Sequence, residues 1–119
     1  MRTIIAGSRS ISDPEILLHA IEDMEWEITL VLCGEARGVD LMGKLWAQLE
    51  DIPYECYPPD WERHGKKAGL KRNIEMARNA EALLAIWDGK SSGTAHMIKE
   101  AKNRGLFVHV IDINYLTYC

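Results

Sequence analysis

Three short stretches of this chain gather residue types that can grip a phosphate. Gly7-Ser8-Arg9 sets a hydroxyl and a guanidinium at the end of an apolar run. Charge-assisted hydrogen bonds from such a pair hold a phosphate or a carboxylate, although a surface arginine after a turn would look the same. Gly34 to Asp40 brings Arg37, a planar fork, beside Gly38, which frees the backbone, and Asp40, which suits either a ribose hydroxyl or the N-cap of a helix. Gly89, Ser91, Ser92, Gly93 and Thr94 form a small-residue loop directly after the apolar run 82–87. Main chain can approach an anion there, and Thr94 is expected to cap a helix whose unpaired N–H groups and dipole favour negative charge. An ordinary strand-to-helix turn is the competing reading.

Other chemistry has less support. Arg63, His64, Lys66, Lys67, Lys71 and Arg72 make one concentrated positive patch, which is either a solvated run or a means of steering an anion. Trp61 and Trp87 offer stacking faces, against the alternative that they belong to the core. The four histidines, His19, His64, His96 and His109, share no metal-ligand spacing, so no metal and no other cofactor is expected. Neither G-x-S-x-G, a P-loop nor G-x-G-x-x-G occurs.

Elements that position these loops follow from periodicity. Short apolar strands are expected at 3–6, 30–33, 54–57, 82–87 and 107–111, with 54–57 at an edge. Ser12 caps a first helix with Pro14 and Glu15 behind it, and Leu17, Ala20, Ile21 and Met24 recur along its inner face. Met42, Leu45, Trp46 and Leu49 mark a second helix, and Pro53 stops it. Residues 58–68 read as a long irregular segment, a candidate lid. Leu70, Ile74, Ala77 and Ala80 mark the helix after it, with Lys71, Arg72 and Asn73 in its first turn. A last helix over 94–104 ends at Gly105, and 115–119 is a tail. Strands alternating with helices specify a Rossmann-like, open, mostly parallel five-stranded sheet flanked by helices, with ligands bound beyond the carboxyl ends of its strands.

With 119 residues, 47% of them apolar, the chain fits a single domain with a real core. Three widely spaced cysteines, Cys33, Cys56 and Cys119, suggest neither a disulfide framework nor a zinc site. The opening residues turn polar where a signal peptide would stay apolar, so a cytoplasmic location away from membranes is expected. A net charge of −4 argues against duplex nucleic acid as a partner.

Gly7-Ser8-Arg9, Gly34-x-Ala36-Arg37-Gly38-x-Asp40, Asp60-Trp61-x-Arg63-His64-Gly65, Ala68-Gly69 with Arg72-Asn73 and Met76-Ala77, and Trp87-Asp88-Gly89-x-Ser91-x-Gly93-Thr94-Ala95 together resemble a small family of the SLOG superfamily. That superfamily includes the LOG phosphoribohydrolases, the DNA-uptake protein DprA and ligand-sensing domains of nucleotide-signalling defence systems. The resemblance implies a Rossmann-like fold that binds a nucleotide or nucleotide-derived small molecule, and a homo-oligomer is plausible by the same analogy. LOG enzymes carry P-G-G-x-G-T-x-x-E, whose glutamate takes part in cleaving an N-glycosidic bond, and an arginine in an R-x-x-x-M-like helix. Gly93-Thr94 and Arg72 to Met76 are similar here, but the glutamate position holds Met97, which can neither move a proton nor stabilise an oxocarbenium ion. Glu35 also departs, standing where relatives commonly have glycine. The expected function is therefore ligand capture as a sensor or sequestering module by Gly7, Ser8, Arg9, Gly34, Arg37, Gly38, Asp40, Arg72, Asn73, Gly89, Ser91, Ser92, Gly93 and Thr94. The alternatives are N-glycosidic hydrolysis of nucleoside monophosphates, with Glu75, Asp40 and Arg72 as catalytic candidates, and single-stranded DNA binding of the DprA kind.

Overall fold

In a computed structural model, residues 1–115 are described. Cys119 and the rest of the expected tail beyond residue 115 lie outside them. The elements run β1 (Arg2–Gly7), α1 (Pro14–Asp23), β2 (Leu30–Cys33), α2 (Val39–Leu49), β3 (Tyr54–Cys56), α3 (Trp61–His64), α4 (Ala68–Asn79), β4 (Ala82–Trp87), α5 (Ser92–Asn103) and β5 (Phe107–Asp112). Single 3₁₀ turns follow α3 and β5, at Gly65–Lys67 and Ile113–Tyr115.

Five parallel strands form one sheet in the order β3-β2-β1-β4-β5. The centre of the sheet explains the unbroken apolar runs: Ile4, Ile5, Leu83, Leu84 and Ile86 are wholly buried because helices cover both faces. Alternate residues serve different layers. Ile5, Val31, Leu84 and Ile86 pack beneath α1 and α2 with Leu17, Ala20, Val39 and Ala47. Ile4, Leu32, Leu83 and Ala85 pack beneath α4 and α5 with Met76, Ala77, Met97 and Ala101. Each such buried aliphatic side chain contributes about 1.5–3 kcal/mol.

Several expectations about helix faces and caps change. Asp13, not Ser12, caps α1, accepting from Glu15 N at 3.0 Å. On α2, Met42 and Trp46 do pack on the core, but Leu45 and Leu49 are 48% and 83% exposed. The inward face is Val39, Gly43 and Ala47. Small residues belong there because α2 lies almost on β1: a Cβ on Gly43 would come within 2.7 Å of Ile5 Cγ2. On α4 the buried residues are Ala68, Asn73, Met76 and Ala77, whereas Leu70 is 45% exposed and faces the cavity described below. The segment 58–68 is not irregular throughout, since Asp60 caps α3 through a bond from Arg63 N at 3.1 Å. Thr94 sits inside α5, whose N-cap residue is Ser91.

Candidate functional site

Strand order reverses between β1 and β4, because β1 leads to α1 and β2 on one side and β4 leads to α5 and β5 on the other. Loops leaving the two strands must part there, and the gap this leaves is where open α/β sheets generally take their ligands. A cavity of about 800 Å³ opens at this point. The end of β1 and the turn after it contribute Gly7 and Arg9, the β2–α2 segment contributes Glu35, Ala36 and Asp40, and α4 contributes Leu70, Arg72, Asn73 and Met76. The first turn of α5 supplies Ser92, Gly93, Thr94 and Met97, while Pro58, Pro59, Trp61 and Lys66 form the remaining wall. Apolar walls with a few convergent polar groups are the usual make-up of a small-molecule site of this size.

Asp88 ties the floor together. Its N–H donates to Ser8 Oγ at 3.0 Å, and Ser10 Oγ donates to its Oδ2 at 3.3 Å. Its Oδ1 accepts from Lys90 N and Ser91 N, both at 2.8 Å. Those two amides, Ser91 first, hold the carboxyl below its ordinary range. Asn114 Nδ2 donates to Asp88 O at 2.7 Å, and Trp87 Nε1 donates to Ser91 O at 3.0 Å. Ser91 makes no side-chain cap bond, so α5 presents the N–H groups of its first turn to the cavity without a capping side chain.

Two cations, Arg9 and Arg72, line the same cavity. Arg72 is pinned by Nη1 donating to Tyr57 O at 3.2 Å and Nε donating to Asn73 Oδ1 at 3.0 Å. Burial lowers its pKa below the usual arginine value, and Asp40 opposes that fall. Asp40 is only 5% exposed. Burial pushes its carboxyl from 3.8 up to about 6, against the pull of Arg72, the backbone amides of Ala36 and Gly7, and Arg9. A buried carboxyl that titrates near neutrality, between two arginines and within a cavity, has the character of a functional group.

Of the residues expected at the site, Gly7, Arg9, Asp40, Arg72, Asn73, Ser91, Ser92, Gly93 and Thr94 line the cavity. Ser8 is 1% exposed and occupied with Asp88, so it builds the floor without facing the cavity. Gly34 and Gly38 act through the space they leave. Gly38 has φ +80° and lies against Ser8 O and the Arg9 backbone, and Gly34 lies beneath the Arg72 guanidinium. Gly89, with φ +79°, shapes the turn beside Asn114. Arg37 and Glu75 are exposed and outside the cavity wall, where Glu35 stands instead of Arg37. Trp61 lines the cavity, whereas Trp87 packs on the core beneath α5. Of the basic patch, Lys66 and Arg72 line it. Asp88 and the Tyr57 carbonyl were missed; an aspartate ahead of Gly-Lys-Ser is a recognisable Asx-turn signal for the first. Among the described residues, no three His, Cys, Asp or Glu side chains gather in a metal-holding group, and no helix is long and apolar enough to cross a membrane.

Sheet order and the cavity at its switch point define a Rossmann-like α/β protein. The chain belongs to the YspA, cpYpsA-related SLOG family, called YAcAr, whose model matches residues 1–64. It is also similar to the Gene 61 protein of Mycobacterium phage D29, with 38% identity over 114 residues that cover 88% of this chain and 91% of the phage protein. No solved structure matches the chain.

Proposed function

We propose that the cavity captures a nucleotide or nucleotide-derived ligand, such as a phosphorylated nucleoside, an ADP-ribose-like molecule or a cyclic nucleotide, and that the protein serves as a sensor or sequestering module. One observation carries this reading: Arg9, Arg72 and the uncapped first turn of α5 converge on a single cavity at the β1–β4 switch point. A phosphate between them would receive both guanidiniums and helix N–H groups. Asp40 would take a ribose hydroxyl and Trp61 a base face. Membership of a SLOG family agrees with a nucleotide-related role. Thermal-shift screening against nucleoside mono- and diphosphates, ADP-ribose derivatives and cyclic nucleotides tests it. A stabilising ligand whose effect disappears in Arg72→Ala supports capture, and a flat response across the panel overturns it.

A second reading, N-glycosidic hydrolysis, is favoured by Asp40, whose carboxyl is poised near neutrality. Water would add to C1′ as the C1′–N bond breaks, with Asp40 taking the proton from water and the departing base taking one from solvent. Met97 lines the cavity where the LOG glutamate would stand and supplies no proton. Chromatography of nucleoside monophosphates incubated with the protein decides it: released base establishes the reaction, and unchanged substrate across the panel removes it.

A further inference from the structure

Asn73 lines the cavity, yet both of its amide hydrogens and one lone pair of its oxygen are spent on the protein. Its Oδ1 accepts from Arg72 Nε at 3.0 Å. Its Nδ2 donates to Gly93 O at 3.2 Å and meets His96 Nδ1 at 3.1 Å. The side chain is 5% exposed and joins α4 to the first turn of α5.

Donor and acceptor chemistry fixes the orientation of this amide. Arginine has no acceptor, so the atom facing Arg72 Nε must be the amide oxygen. A carbonyl has no donor, so the atom facing Gly93 O must be the amide nitrogen. Both constraints agree, and a flipped amide would break both bonds at once. The second N–H of Asn73 then needs an acceptor, and His96 Nδ1 is in place. For Nδ1 to accept that N–H, the ring must carry its proton on Nε2, the nitrogen 3.8 Å from Glu100 Oε1. Glu100 in turn pairs with Arg104 at 3.5 Å.

We propose that Asn73 is a positioning residue that sets the Arg72 guanidinium at a fixed distance from the first turn of α5. The inference rests on the reading of the cavity as an anion site. A guanidinium and a helix N-terminus grip one phosphate only when their separation matches it, and a misplacement of about 1 Å is enough to lose the geometry. Asn73 bonds to both partners, so it ties the two halves of the grip to each other.

Replacing the amide by an isosteric carboxylate separates positioning from packing. In Asn73→Asp the carboxylate still accepts from Arg72, but it faces Gly93 O and His96 Nδ1 without a proton to give. His96 can satisfy it only by taking a proton on Nδ1. Of the groups around that ring, Glu100, Arg104 and Arg72 are unchanged, so any change in which His96 nitrogen is protonated comes from residue 73.

Nitrogen-15 NMR of the ligand-free protein tests this. In the wild type His96 is expected as the Nε2–H tautomer, with a slowly exchanging Arg72 Nε–H signal. Asn73→Ala should lose that signal. Asn73→Asp should keep it, with the His96 ring now carrying a proton on Nδ1. An Nδ1–H tautomer in the wild type, an Arg72 signal unmoved in Asn73→Ala, or a His96 Nδ1 still unprotonated in Asn73→Asp would each overturn the proposal, and the tautomer is read even if a variant does not fold. ADP-ribose, which has no phosphate titrating near neutral pH, is the binding probe. Asn73→Ala should bind it about tenfold more weakly than the wild type. No ADP-ribose binding by the wild type would count against the anion-site reading alone, because the spectra need no ligand.

Discussion

The Arg72 guanidinium occupies the space that a side chain on residue 34 would need. A Cβ on Gly34 would overlap Arg72 Nη1 and lie 2.6 Å from Asp40 Oδ2. Both atoms are ends of side chains, so they can retreat while the backbone stays. Gly34→Ala should therefore fold with a loss of about 1 kcal/mol or less but displace the arginine, weakening binding of a stabilising nucleotide at least about tenfold. Paired thermal melts with and without that nucleotide measure both; a variant that loses stability and keeps its ligand response contradicts the assignment.

Gly38 should behave in the opposite way. A Cβ there would meet Ser8 O at 2.6 Å and Arg9 Cα at 2.8 Å, both backbone atoms, and its φ of +80° is itself unfavourable for alanine. Gly38→Ala should cost about 2–4 kcal/mol, read as a lower urea midpoint. A loss below about 1 kcal/mol would mean that the β1 and β2 loops are not held against each other.

Asp40 gives stability a pH dependence of defined sign. Its folded pKa of about 6 lies above the ordinary 3.8, so the fold binds this proton more tightly than the unfolded chain does. The contribution is fully present below about pH 4 and is lost as pH rises through about 6. Each decade is worth about 1.4 kcal/mol, so an ionised Asp40 costs the fold roughly 3 kcal/mol at neutral pH. Asp40→Asn should raise Tm at pH 7.5 and flatten this part of the stability curve between pH 4 and 6, measured by denaturant melts across that range. An unchanged curve would show that the carboxyl is not buried in its charged form.

Cys33 and Cys56 are register partners on β2 and β3, with their sulfurs 3.9 Å apart. Cys33 is wholly buried, and burial first, then the neighbouring Cys56, pushes its thiol from 9.0 up to about 12. Because the thiolate is the nucleophile, iodoacetamide at neutral pH should modify Cys56 well before Cys33 in the folded protein. Peptide mass mapping over time follows both sites, and equal rates would mean that the β2–β3 end opens readily.

Much of the framework was legible because the strands obey local rules. Residues 30–33 and 82–87 are apolar runs closed by glycine or polar residues, and they form β2 and β4 with those bounds. Faces and partners were harder. Leu45 and Leu49 carry the hydrophobicity that marks a core, yet close approach of α2 to β1 reserves the inner positions for Gly43 and Ala47. Whether Glu35 or Arg37 enters the cavity depends on the torsions of one loop, which composition does not encode. Asn73 is polar in the first half of a helix, which reads as ligand-facing; that its partners are Gly93 and His96 follows only from how α4 meets α5. The bond from Asp88 to Ser8 spans 80 residues, beyond any local pattern.

That long-range bond also divides the cavity by how fast its parts can respond. The Ser8–Asp88 tie and the turn at Ser91 hold the β1–β4 end in place, so little ordering entropy would be spent there on association. The opposite wall, Pro58 to Lys66, has no buried residue in α3 or in the 3₁₀ turn after it, and it presents a tryptophan that is 56% exposed. Segments so thinly anchored open at small free-energy cost. For the proposed nucleotide ligand, residence time would then be governed by α3 and its neighbours, and selection by the arginines and the α5 turn.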